Sequence, residues 1–167
     1  MPTITWNEYR LEMDKTHTIN YQEYRLEELA EVDRTLMEQA IEAASGAYAP
    51  YSRFHVGAAL RLADGTVVCG NNQENAAYPS GLCAERTAIF AASAQHSNMR
   101  DYEALAIVGI DEGGTLCEAS PCGACRQVLV EYEQHQRHPL RVICYVDEGC
   151  VRVFNSASDL LPFSFKI

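Results

Sequence analysis

The sequence predicts a three-layer α/β/α domain built on a five-stranded mixed sheet. Three observations lead there. Apolar runs of strand length alternate with longer runs of helical period through the middle of the chain, as expected when helices cover both faces of a sheet. Residues 104–110 are continuously apolar, the composition of a strand buried on both sides. The last two strands are separated by too few residues for a parallel crossover, so they should be antiparallel neighbours.

The elements follow in order. Residues 1–30 are rich in Glu, Tyr and Thr and read as an extension or arm that would cover a neighbouring subunit; residues 31–167 form the domain. The arm holds one echo, Glu8-Tyr9-Arg10-Leu11-Glu12 and Glu23-Tyr24-Arg25-Leu26-Glu27, too little for a repeat architecture. Leu29, Val32, Leu36, Met37, Ala40, Ile41 and Ala44 fall at helical spacing, and Gly46 suits a helix stop. Residues 54–60 read as a buried strand. The turn Ala63-Asp64-Gly65 should join it to a second strand, residues 66–70, as a hairpin. Residues 71–81, with three Asn, a Pro and a Gly, read as an ordered loop. Residues 82–94 and 122–134 read as helices, the second with Ser120-Pro121 at its start as caps often are. Residues 141–146 and 151–154 are the last two strands, joined through Asp147-Glu148-Gly149.

Composition narrows the function. Of 167 residues, 47% are hydrophobic and 22% charged, ordinary for a globular chain long enough to bury one sizeable core. Thirteen basic against twenty-three acidic residues leave a net charge of −10, which repels phosphate polymers; a nucleic-acid strand is not an expected partner. No run of eighteen apolar residues suggests a membrane span, and the acidic start, with Glu8, Glu12 and Asp14, is unlike a signal peptide. The expected location is the cytoplasm. Seven cysteines, an odd number in a mid-sized chain, argue against a disulfide framework and for metal or catalysis.

Two fragments carry the chemistry: Cys83-Ala84-Glu85 and Pro121-Cys122-Gly123-Ala124-Cys125. Each opens a predicted helix, where exposed N–H groups and the positive helix end favour thiolate. Three thiolates from two helix starts would make one face of a tetrahedral zinc site and leave the fourth position for water, the mark of a catalytic zinc. Zinc lowers the pKa of such a water to about 7. Glu85, two residues past a ligand, can face the same cavity without occupying the metal. A Cys-x-x-Cys alone also fits a redox pair, or a structural site with Cys117, Cys144 or Cys150 as fourth ligand. Cys69 and Cys144 lie in apolar strands and read as core residues. An acid two residues after the first ligand, with a later Pro-Cys-x-x-Cys, is the general signature of zinc deaminases.

Three longer stretches sharpen that match. They are residues 72–78 (Asn-Gln-Glu-Asn-Ala-Ala-Tyr), 81–88 (Gly-Leu-Cys-Ala-Glu-Arg-Thr-Ala) and 120–127 (Ser-Pro-Cys-Gly-Ala-Cys-Arg-Gln). Together with Ala49-Pro50-Tyr51-Ser52 and Leu160-Leu161-Pro162, they resemble the small, homotetrameric, zinc-dependent cytidine deaminases over residues 31–167. The resemblance implies the cytidine-deaminase-like fold, one zinc per chain held by Cys83, Cys122 and Cys125, and hydrolysis of cytidine and 2′-deoxycytidine to uridine, deoxyuridine and ammonia. It implies that Glu85 moves protons from the zinc-activated water to ring N3 and then to the leaving amine. Phe54 would stack on the base, Asn72 and Glu74 would hold the ribose 3′-hydroxyl, and Ala84 would contribute to substrate binding. Arg86 would donate to the ligand sulfurs. Tyr78 and Phe165 would reach a neighbouring subunit's site in a homotetramer. The sequence departs from the pattern at Phe163, which stands where a small residue is usual and competes with Phe165 as the cap. A same-fold deaminase of another aminated ring, such as blasticidin S, and a structural zinc module are the rival readings.

Overall fold

In a computed structural model, which describes residues 15–95 and 101–166, seven strands form one sheet. The elements run β1 Tyr21–Arg25, α1 Glu31–Ala44, β2 His55–Leu62, β3 Val67–Asn71, α2 Ala84–Gln95, β4 Tyr102–Ile110, β5 Leu116–Cys117, α3 Gly123–Gln136, β6 Arg141–Tyr145 and β7 Cys150–Phe154. Strand order is β1-β7-β6-β4-β2-β3, with the short β5 paired to β4. The β2–β3 hairpin is antiparallel, turning through Gly65 at φ +84°. β4 and β6 are parallel, and β6 and β7 antiparallel, so the sheet is mixed.

Two strands go beyond the expected five. β5 is only two residues long and carries no sequence period. β1 lies within the stretch read as an arm; it is almost wholly exposed and forms by pairing with β7, Glu23 opposite Arg152, rather than by burying an apolar face. The second half of the echo, from Glu23, therefore falls at the end of β1 and the turn after it. The first half and the acidic start lie outside the described residues, as does Ile167.

The strands divide their side chains by the two-residue period of the pleat. Leu60, Leu105, Ile107, Val142 and Cys144 pack under α2 and α3 through Ala88, Ile89, Leu129 and Val130. Ala59, Ala106, Val108, Ile143 and Val153 face α1 through Leu36, Met37 and Ala40. That is the three-layer arrangement. Two glycines let the helices sit close. A Cβ at Gly57 would lie 1.9 Å from the Ala40 carbonyl of α1, and one at Gly70 would lie 2.4 Å from the Ala88 nitrogen of α2.

Buried charges tie the layers. Asp33 of α1 takes Arg61 of β2 at 3.2 Å and Arg141 of β6 at 2.8 Å. Glu133 of α3 pairs with no cation among the described residues. It accepts instead from Leu140 N, Ala157 N, Ser158 N and the Ser156 and Ser158 hydroxyls, fastening the C-terminal segment to the helix. Cys69, read from its apolar strand as a core residue, is exposed, because β3 is the outer strand of the hairpin.

Gly70→Ala should cost about 3 kcal/mol in a urea titration, because the new methyl meets helix backbone that cannot turn aside. A midpoint equal to the parent's would show that α2 is not seated on β3 this closely.

Candidate active site

The site forms where α2 and α3 begin. Cys83 immediately precedes α2 and accepts from Thr87 N through its carbonyl. Cys122 is the N-cap residue of α3 and Cys125 its third residue. The expected Ser120-Pro121 cap is displaced by two residues: Cys122 occupies the cap, and its thiol makes no capping bond. Both helix starts rest on the same face of the sheet, so the three sulfurs meet, all within 4.8 Å of one another. Cys83 and Cys122 are 3.8 Å apart, Cys122 and Cys125 3.5 Å.

This donor set fits zinc. Zn–S bonds of about 2.3 Å at tetrahedral angles place sulfurs about 3.8 Å apart. Among the described residues no other cluster of this kind occurs, and Cys117, Cys144 and Cys150 lie outside it. Burial pushes the Cys144 thiol up to about 12, in keeping with a core residue. Without a metal, the three sulfurs cannot all be anionic. Cys83 is held down at about 5, first by a hydrogen bond from Cys125 and then by Arg86 and Cys122. Cys125 is driven far up, first because it gives that bond and then by burial. Arg86 Nη2 sits 3.8 Å from Cys83 Sγ.

Glu85 is 4% exposed and lines the cavity beside the trio. Burial pushes its carboxyl up, opposed by its own backbone N–H. Among the described residues, no guanidinium pairs with it as two do with Asp33, and no ring of donors surrounds it as with Glu133. A hydrogen bond with Cys125 and the nearby Arg86 oppose its burial only in part. A buried acid held with a raised pKa can take and return a proton near neutral pH.

The cavity encloses about 660 Å³ and is lined by Phe54, Asn72, Glu74 and Tyr78 as well as by Cys83, Glu85, Arg86 and Cys122. Phe54 lies one residue before β2 rather than in it, after Arg53, whose φ of +56° turns the chain. Its ring covers Gly109 so closely that a Cβ there would be 2.6 Å from Cζ. Asn72 is engaged with backbone at both ends of its amide, accepting from Val56 N at 2.8 Å and donating to the Phe54 carbonyl at 2.9 Å. One amide N–H remains to face the cavity. Glu74 accepts from Tyr51 N and Ser52 N, and these bonds, led by the Ser52 hydroxyl, hold its carboxyl below the usual range.

Three further expected residues are placed as follows. Ala84 is fully buried in the core under α2, and its side chain does not line the cavity. Tyr78 is at the cavity but 91% exposed. Phe165 is away from this chain's own cavity; its backbone is clasped by Gln127 of α3 through two hydrogen bonds, at 2.9 and 3.0 Å. Phe163 instead meets the ring of His17 at 6.2 Å. Sequence reasoning missed Glu118 and Ser120 in the cavity wall, and Arg126, which donates to the Pro121 and Leu160 carbonyls and so steadies the turn into Cys122. The Pro-Cys-x-x-Cys-Arg spacing was the available signal for Arg126. Glu118 had none.

The chain is similar to known proteins. Residues 30–138 match the family described as the cytidine and deoxycytidylate deaminase zinc-binding region. A cytidine deaminase of Halalkalibacterium halodurans is 51% identical over 96 residues, covering 58% of this chain and 68% of that protein. One from Mycobacterium tuberculosis is 42% identical over 117 residues, covering 68% and 84%. A crystal structure of cytidine deaminase from Burkholderia pseudomallei superposes with a TM-score of 0.68 at 46% identity, over 78% of this chain and 97% of that one. With its cysteine trio, its buried acid and this match over most of its length, the chain belongs to the cytidine and deoxycytidylate deaminase family.

Proposed function

We propose that the protein hydrolyses free cytidine and 2′-deoxycytidine to uridine and deoxyuridine, releasing ammonia. The observation that carries this reading is the buried Glu85 carboxyl, set in the cavity wall beside three convergent thiols. A structural metal site has no use for an acid there. Cys83, Cys122 and Cys125 would hold one zinc per chain, which would supply a hydroxide nucleophile at neutral pH. Glu85 takes the proton released by the attacking water and delivers it to ring N3, which becomes basic as C4 turns tetrahedral. It then takes the proton of the new C4 hydroxyl as the carbonyl forms and gives it to the departing amine, so one carboxyl serves both transfers. Arg86 offsets the excess charge of three thiolates around a divalent ion.

Phe54 offers a flat wall for the base. Glu74, with the remaining N–H of Asn72, takes the ribose 3′-hydroxyl. The Glu74 carboxylate, set where the 3′-hydroxyl is taken, repels a 3′-phosphate and so disfavours phosphorylated substrates and polymers. The rival ring substrates would leave the Glu74 carboxylate without its hydroxyl.

The active unit in this reading is a homotetramer in the cytoplasm. Tyr78, Phe163 and Phe165 are largely exposed in one chain, an arrangement suited to burial between copies. Phe165, with its backbone clasped by Gln127, caps a neighbouring chain's base, and Tyr78 reaches across likewise. Seven free cysteines suit a reducing compartment. No helix among the described residues is long and apolar enough to cross a membrane.

Incubation with cytidine should yield uridine and ammonia in equal amounts; turnover of blasticidin S with no uridine from cytidine would reject the reading. Glu85→Gln should keep one zinc per chain by elemental analysis and lower kcat by about a thousandfold. Cys83→Ala should lose the zinc, and retention of a full equivalent would contradict the ligand assignment. Light scattering should give four times the chain mass of 18.6 kDa, and Phe165→Ala should raise KM more than Phe163→Ala does.

A further inference from the structure

A polar link joins the cavity wall to β1, the strand that precedes the family-matched region. Glu118 lines the cavity four residues ahead of Cys122, and the Ser120 hydroxyl lies 3.5 Å from its Oε1. The next residue, Ala119, is pinned to β6 through its N–H on the Tyr145 carbonyl. The cation facing Glu118 is Arg152 of β7, with Nη1 3.7 Å from the same Oε1. Arg152 is in turn fixed from the other side. Its Nε and Nη2 both donate to Glu23 Oε1 of β1, at 3.0 and 2.9 Å, and its guanidinium lies 5.2 Å above the Tyr21 ring. Glu23 and Arg152 are direct cross-strand partners, and Tyr21 and Phe154 the next pair on that face, 5.7 Å apart between centroids.

Each contact has a consequence. A free Arg152 has many rotamers; a fork held by a carboxylate and seated over a ring has few. Only Nη1 then points on to Glu118. Arg152 also balances a carboxylate that would otherwise add to the negative charge of Glu74 and Glu85 in the same cavity. The opposing effects are clear: Glu118 is half-exposed and would swing in solvent if Arg152 moved, and the Ser120 hydroxyl alone is too weak to hold it. Both Arg152 and β1 lie outside the region that matches the family, residues 30–138.

We infer that Glu23 and Tyr21 of the N-terminal strand act, through Arg152, as positioning residues for Glu118, a substrate-contacting acceptor in the cavity wall. The juxtaposition is a strand-borne acid, a β7 arginine and a cavity acid in one line. Glu118 takes a donor group of a neutral ligand, an exocyclic amine or a sugar hydroxyl. The inference rests on the nucleoside deaminase reading.

The test uses the full chain loaded with zinc, with cytidine as substrate and uridine as the calorimetric ligand. Glu23→Gln and Arg152→Met should raise KM, and the uridine Kd in parallel, by about threefold to tenfold, with kcat changed less than twofold. Arg152→Lys should restore part of the loss, since it keeps the charge without the fork. Glu118→Gln should raise KM to a similar degree, and combining it with Arg152→Met should add little beyond either alone. Arg25→Gln serves as the control for mere fraying of β1: it removes a bond from Arg25 to the Glu148 carbonyl without touching Arg152, so it should lower Tm and leave KM alone. Equal KM shifts in Arg25→Gln and Glu23→Gln would overturn the inference. So would fully additive effects at Glu118 and Arg152, or KM and Kd unmoved in every variant. Failure of the parent protein to produce uridine would instead overturn the deaminase reading.

Discussion

Three sulfurs within 4.8 Å are the constraint on which the rest of this molecule turns. Their charges cannot coexist in a half-buried pocket without a cation, and they can meet only if two helices begin at the same point above the sheet. Gly70 supplies the close seat for α2, while Leu129 and Val130 seat α3 on the same face. Each helix then turns its positive end and its unpaired N–H groups toward the sulfurs. Arg86, one residue past Glu85 and on the first turn of α2, adds the full charge nearest to them. The fold is in this sense the means of holding like charges together.

Buried carboxylates divide into structural and chemical by how they are satisfied. Asp33 is balanced by two guanidiniums and Glu133 by a ring of N–H and O–H donors, so each is committed to its layer of the fold. Glu85 is as buried as either, yet burial is the first influence on its carboxyl and raises it. Holding an acid in that condition costs stability, which a stable core elsewhere offsets. The contrast within one chain marks Glu85 more sharply than its position in a motif does. Asn72 and Glu74 show a third case, in which polar groups at the cavity rim also hold backbone, so the binding surface and the loop that shapes it are built from the same bonds.

The N-terminal stretch changes character once folded. As sequence it is acidic and weakly patterned; in the structure Tyr21–Arg25 closes one edge of the sheet and leaves charged and aromatic side chains outward. Covering the β7 edge in this way removes an open row of hydrogen-bonding groups, and the exposed glutamates keep the new edge from pairing further. The same strand brings Glu23 to Arg152, which carries its influence to the cavity.

The local chemistry was legible in the sequence because it is local. Cys83 and Glu85 share one helical turn, Cys122 and Cys125 another, so spacing alone specifies which way they point, and the three layers follow from apolar period. Pairings between distant residues were not legible. No pattern near Tyr21 announces β7 as its partner, and none near Glu118 announces Arg152, 34 positions away in the numbering of the chain. Nor could spacing separate the trio from Cys117, Cys144 and Cys150, or say that Ala84 turns into the core while Phe165 lies away from its own chain's cavity. The sequence by itself determined which groups could bind a metal and move a proton, since reactivity belongs to residue types at short range. Only the tertiary structure decided which of them meet, because burial, strand pairing and the approach of two helices are set by contacts across the whole chain.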